Sequence, residues 1–238
     1  MSELYEKMMK RIVEYRKELN ITQDEMGEIL GLTQGHFSKL EHEKVKISGE
    51  SLKRLLYYSN DIDYFFSGRK KISTELDEKI ECCPRKMWYD YIEIVIWLLN
   101  IGMQMDGKFT RHSCDKKLLA YLRFWAEKDF AEDAIWYGIR KANGFTQDKM
   151  SAVLDIYTKR YRLIEHGKHE TEVDGEILAN LFEKTGFYPS LTMGNEMAIL
   201  TDVNRLWVSL QDETRKILNE KLDIMVSLLL KVGEDKGV

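Results

Sequence analysis

The sequence predicts an all-α protein of two tandem helical units, each followed by a long packing helix. Three observations carry this. Only 2 prolines interrupt 238 residues, so long stretches are free to be helical. Apolar residues recur at spacings of three and four. Above all, the segment from Arg16 to Leu30 recurs from Arg140 to Leu154, a displacement of 124 residues without a gap.

Under that displacement Lys17 meets Lys141, Thr22-Gln23-Asp24 meets Thr146-Gln147-Asp148, Met26 meets Met150, Leu30 meets Leu154, and Glu41-His42 meets Glu165-His166. Further along it grows to 126, pairing Gly49-Glu50 with Gly175-Glu176, Leu52 with Leu178, Leu55 with Leu181 and Gly68 with Gly194. At 130 it pairs Arg85-Lys86 and Ile94 to Leu99 with Arg215-Lys216 and Ile224 to Leu229, so the repeat includes a trailing helix. The expected segments are a first module at 1–68, a connecting region with the first trailing helix at 69–130, a second, divergent module at 131–194, and a C-terminal packing or dimerisation helix at 195–238.

Within the first module, Ile12, Tyr15 and Leu19 form an apolar stripe that stops at Asn20. Thr22 caps the next helix, with Glu25 placed to complete a capping box. That helix carries Met26, Ile29 and Leu30 and ends at Gly31, which adopts positive φ at little cost. Thr33 then caps a third helix from Gln34 to Glu41. Between the modules, Asp106-Gly107 signals a turn, and Leu118, Leu119, Leu122 and Trp125 have the spacing of a connecting helix over 115–128.

Short helix, glycine turn and short helix let the third helix enter a major groove about 12 Å wide. Thr22-Gln23, Gly31-Leu32-Thr33-Gln34 and Leu40-Glu41 resemble the signature of the Cro/phage-repressor (XRE-type) helix-turn-helix family, over residues 10–66. The resemblance implies two tandem lambda-repressor-like domains and a sequence-specific, repressor-like transcriptional regulator of double-stranded DNA. It also implies a structural ion pair from the first helix to the end of the third, here Arg16 with Glu41 and Arg140 with Glu165, 25 residues apart in each module.

Carried over residue by residue, the family pattern places Gln23 on a phosphate at the start of helix two. It puts Thr33, Gln34, Gly35, His36, Ser38 and Lys39 on the DNA side of helix three, with Phe37 and Leu40 inward. Gln34 suits adenine and Lys39 guanine by donor and acceptor geometry. Gly35 costs up to about 1 kcal/mol against alanine in a helix; close backbone approach to a base and simple drift both account for it. In the second module Asp155 replaces the turn glycine and Lys149 the capping glutamate, which predicts a strained or differently shaped turn. Its third helix, Tyr157 to His166, offers Thr158, Lys159, Arg160 and Arg162, with Gln147 in the position of Gln23. These are the expected DNA contacts of the second module, beside the alternative of a solvated face.

The remaining features exclude more than they assign. Net charge is −4, so local cations must carry any nucleic-acid attraction. The longest apolar run, Ile94 to Leu99, is too short to span a bilayer, and Met1 to Arg11 has no signal-peptide core, which predicts a cytoplasmic protein without membrane partners. Cys82, Cys83 and Cys114 form neither a disulfide framework nor a zinc spacing, and His166 and His169 lack companions for a metal site. No phosphate loop or nucleophile with a neighbouring base supports an enzyme, and no cofactor is expected.

The trailing helices, Met87 to Leu99 and 214–230, are too apolar to stand alone. They predict a homodimer, or an intrachain pseudo-dimer in which the two helices pack together. The competing reading is an antitoxin-like or co-regulatory binder of a protein partner with degenerate DNA binding, exposing an aromatic surface around Trp125 and Trp136. Aromatic middle helices also leave room for a small-molecule or peptide effector.

Overall fold

The computed structural model describes residues 2–42, 44–108, 120, 135–167 and 173–235. Among the described residues, helices and turns account for all regular structure apart from one isolated antiparallel bridge, Ser48 with Asp174. The chain divides into two compact units that are not its sequential halves. One gathers Met1–Lys71 and Glu132–Glu196; the other gathers Ile72–Ala131 and Met197–Val238. The expected helix over 115–128, with Leu118, Leu119, Leu122 and Trp125, lies outside the described residues, as do Cys114 and His169.

The first unit begins with α1 (Glu3–Glu18), capped by the Ser2 hydroxyl, with Glu3 and Glu6 in its first turn and Arg16 and Lys17 in its last, as the helix dipole favours. Its buried face is Tyr5, Met8, Met9 and Ile12. The stripe expected from the sequence, Ile12, Tyr15 and Leu19, shares only Ile12 with this face and runs about two turns further; Leu19 is instead the exposed C-cap, because the N-terminal half of the helix makes the core contacts.

Next come α2 (Gln23–Leu30) and α3 (Gln34–Glu41), with the bounds expected from local signals. Thr22 and Glu25 form a full capping box, Gly31 turns the chain at φ +71°, and Thr33 accepts from the His36 N–H. Two further helices, α4 (Gly49–Ser59) and α5 (Ile62–Ser67), close the core over Leu52, Leu55, Phe65 and Phe66.

The rest of the first unit has α8 (Ile135–Ala142), α9 (Gln147–Leu154), α10 (Thr158–Glu165), α11 (Gly175–Thr185) and a 3-10 turn at Pro189–Met193. Left-handed residues mark equivalent joints: Asn20 and Gly144, Gly31 and Asp155, Asn60 and Gly186, Gly68 and Gly194. Asp155 adopts the left-handed turn at φ +57° despite its side chain. Lys149 leaves Thr146 capping α9 without a reciprocal box.

The two halves of this unit meet at the N-termini of α4 and α11. Gly49 N–H donates to the Val173 carbonyl at 2.7 Å, and Gly175 N–H donates to the Ile47 carbonyl at 2.8 Å. Each contact is the other displaced by 126 residues, the reciprocity that a two-fold axis generates. Glycine is needed on both sides: a Cβ on Gly49 would lie 2.8 Å from the Val173 carbonyl oxygen, and one on Gly175 2.7 Å from Ile47 Cγ2. Lys46 pairs with Glu176 beside this contact. Burial pushes the Glu176 carboxyl up, but the Lys46 ammonium outweighs it and holds it below its usual range.

The second unit contains α6 (Glu75–Glu81), α7 (Trp88–Met105), α12 (Thr201–Ser209) and α13 (Asp212–Asp235). The trailing helices α7 and α13 pack on one another, and Gly102 of α7 admits Leu218 and Leu210 side chains where a Cβ would lie 2.6 and 3.0 Å away. Asp106 fastens the end of α7 to the start of α13, accepting from Thr214 Oγ1 at 2.6 Å and from the Gln211 N–H at 2.7 Å. On α13 the buried apolar positions are Leu218, Leu222 and Val226, whereas Ile217, Ile224 and Leu228 are exposed. The helix is apolar on more than one side, so spacing alone did not choose its inner face.

Candidate nucleic-acid interface

In the first helix-turn-helix, Phe37 and Leu40 are fully buried while Thr33, Gln34, Gly35, His36 and Lys39 are exposed and Ser38 is half-buried. The inward residues fix the rotation of α3, and the others stand on its open side. Around Gly35 there is open space for a Cβ.

Behind that surface lies a relay. Arg16 Nε donates to Glu41 Oε1 at 2.8 Å, and its Nη1 donates to the Ile21 carbonyl at 2.8 Å. Glu41 Oε2 accepts from Gln23 Nε2, and Gln23 Oε1 accepts from Gln34 Nε2 at 2.8 Å. The order of donors is dictated from inside. A carboxylate only accepts, so Gln23 must turn its amide nitrogen inward and its oxygen outward, and Gln34 must meet that oxygen with its nitrogen. Thus the ion pair orients the exposed Gln34 amide. The link from Gln23 to both partners was not visible in the sequence, since it depends on how α2 and α3 pack.

The same inner bonds recur 124 residues on. Arg140 Nε donates to Glu165 Oε1 at 2.6 Å, its Nη1 to the Phe145 carbonyl at 3.0 Å, and Gln147 Nε2 to Glu165 Oε2 at 2.5 Å. This pair is more enclosed than its counterpart, with side-chain exposures of 9% and 3% against 15% and 10%. Tyr161, in the position of Phe37, sets its hydroxyl 3.2 Å from Glu165 Oε1, and burial raises its pKa far above the ordinary phenol. Burial lowers the Arg140 pKa, but Glu165 outweighs it, so the guanidinium is held charged.

On the surface of α10 the contacts differ from those on α3. Lys159 and Arg162 are exposed, and Arg162 Nε donates to Gln147 Oε1 at 3.1 Å. Thr158 is half-buried, with its hydroxyl given to Asp148 at 2.9 Å. Arg160 reaches back to Asp174 at 3.4 Å, beside the bridge between the two halves of the unit. Tyr157, which sequence reasoning passed over, precedes α10 with 87% of its surface exposed. His166 is exposed. Trp136 is buried, so it forms no part of an aromatic docking surface; Trp125 lies outside the described residues.

Compared with known proteins, residues 12–56 match the helix-turn-helix family model. That span runs from the middle of α1 through most of α4 and holds the whole Arg16–Glu41–Gln23–Gln34 relay. No curated protein and no solved structure matches the chain. Residues 12–56 therefore form a helix-turn-helix domain, of the class carried by DNA-binding transcriptional regulators. Among the described residues, no helix is long and apolar enough to cross a membrane.

Proposed function

We propose that this protein is a sequence-specific, repressor-like transcriptional regulator that works in the cytoplasm and reads double-stranded DNA through the major groove. The observation that carries the reading is the orientation of Gln34. Its amide stands exposed on α3 with its nitrogen directed to Gln23, leaving an acceptor and a donor for the N6/N7 edge of adenine. The Gln23 backbone N–H at the α2 N-terminus holds a phosphate, His36 and Ser38 line the groove, and Lys39 reaches a guanine or the backbone.

The second motif, Ile135–Glu165, is a divergent copy of the same module. The support is its inner hydrogen bonds, its left-handed joints and the register of 124 residues. Gln147, Thr158, Lys159, Arg160 and Arg162 form its DNA side, with Arg160 also bracing the contact between modules. The chain is thus an intrachain pseudo-dimer, held by the α4–α11 contact and by the pairing of α7 with α13, and its operator is an imperfect palindrome with unlike halves. A regulator of this kind represses by occupying its operator.

The test selects duplexes from a random pool with the intact chain and then measures fluorescence anisotropy with Gln34→Ala/Lys39→Ala. An enriched motif that the double variant binds at least 10-fold more weakly supports the reading; the loss of one bidentate base contact alone accounts for about that factor. No enriched motif at modest salt contradicts it, and moves the search to protein partners.

A further inference from the structure

We infer that the second module reads a guanine with Arg162, one helical turn beyond the position at which the first module uses Gln34. The inference rests on the proposed DNA-binding function and adds which residue specifies the second half-site and which base it selects.

In both modules an ion-paired glutamate turns the amide nitrogen of a glutamine inward, so that the glutamine oxygen faces the surface as an acceptor. In the first module that oxygen receives Gln34, at the first residue of its recognition helix. The equivalent residue of the second module is Thr158, and its hydroxyl is spent: it donates to Asp148 Oδ1 at 2.9 Å and lies 3.1 Å from Ser151 Oγ. The outward oxygen of Gln147 instead receives Nε of Arg162, four residues along the helix on the same face.

That contact does two things. It ties down the inner edge of an exposed arginine, reducing the freedom it must lose on binding. It also leaves the Nη1 and Nη2 edge, which presents donors only, on an exposed side chain. A donor pair matches O6 and N7 of guanine and finds no acceptor pair on adenine, whose N6 is itself a donor. Gln34 offers the opposite pattern, one donor and one acceptor. The same relay thus ends in an adenine reader on one module and a guanine reader on the other.

Arg162 is the specificity residue and Gln147 its positioning residue. The experiment compares motifs selected by the intact chain, Arg162→Gln, Arg162→Lys and Gln147→Ala, with thermal melts to show that each variant is folded. The intact chain selects a guanine in one half-site. Arg162→Gln keeps the other half-site, loses or switches that guanine, and binds the original duplex roughly 10-fold more weakly. Replacing the base by 7-deazaguanine, which removes the N7 acceptor, weakens the intact chain but not Arg162→Gln. Gln147→Ala blurs preference at that base alone, which a general loss of stability would not do.

A motif unchanged by Arg162→Gln, whether affinity falls evenly across sequences or not at all, overturns the inference and assigns Arg162 to the phosphates or to solvent. A motif with only the Gln34 half-site overturns the inference while leaving the proposed function standing. No motif at all overturns both.

Discussion

Single residues decide how firmly α3 and α10 are held. Removing one partner of an enclosed ion pair strands the other, at a cost of about 3 to 5 kcal/mol. Arg140→Ala is expected at the upper end, since Glu165 is the more enclosed carboxylate and also holds Tyr161, and Arg16→Ala below it. Urea unfolding of the two variants checks the order; equal small losses would contradict it. Asp155→Gly relieves a left-handed aspartate and is expected to raise stability by up to about 1 kcal/mol in the same assay.

Asp63 supplies a pH dependence. It is buried on α5 and accepts from the Ser190 N–H at 3.0 Å and the Ser190 hydroxyl at 2.5 Å. Burial outweighs those bonds and pushes its pKa from 3.8 up to about 6. The folded state therefore binds the proton more tightly than the unfolded chain does. The group favours folding most below about pH 4, and that contribution, on the order of 3 kcal/mol, is lost as pH rises through 6. Asp63→Asn should flatten the stability profile between pH 4 and 6 in urea titrations, and an unaltered slope would show that the group is not buried as described.

At the scale of elements, the bounds of α2 and α3 were legible because their signals are local: the Thr22–Glu25 box, the turn at Gly31 and the cap at Thr33. The inner face of α1 was not, since Tyr5 and Met8 only make sense against α11. Nor was the inner face of α13, where Ile217 and Ile224 compete with Leu218 and Val226 and only the packed partner decides. Gly35 lies between these cases. Its Cβ position is open, so Gly35→Ala should stabilise the free protein by up to about 1 kcal/mol in thermal melts. If the backbone approaches a base closely, the same variant binds its operator more weakly; unchanged affinity would leave drift as the explanation.

For the whole molecule, the repeat pairs segments of the sequence but does not say where they touch. Gly49 and Gly175 stood out as a repeated pair, yet nothing local says that each donates to a carbonyl beside the other. In the proposed pseudo-dimer, that reciprocal contact and the α7–α13 packing take the place of an interface between two chains. The most direct test of the pseudo-dimer is the mass and hydroxyl-radical footprint of the complex on the selected duplex. A pseudo-dimeric reader gives one chain per duplex protecting two patches about one helical turn, roughly 10 base pairs, apart on one face. Two chains per duplex, or one chain protecting a single patch, would contradict it.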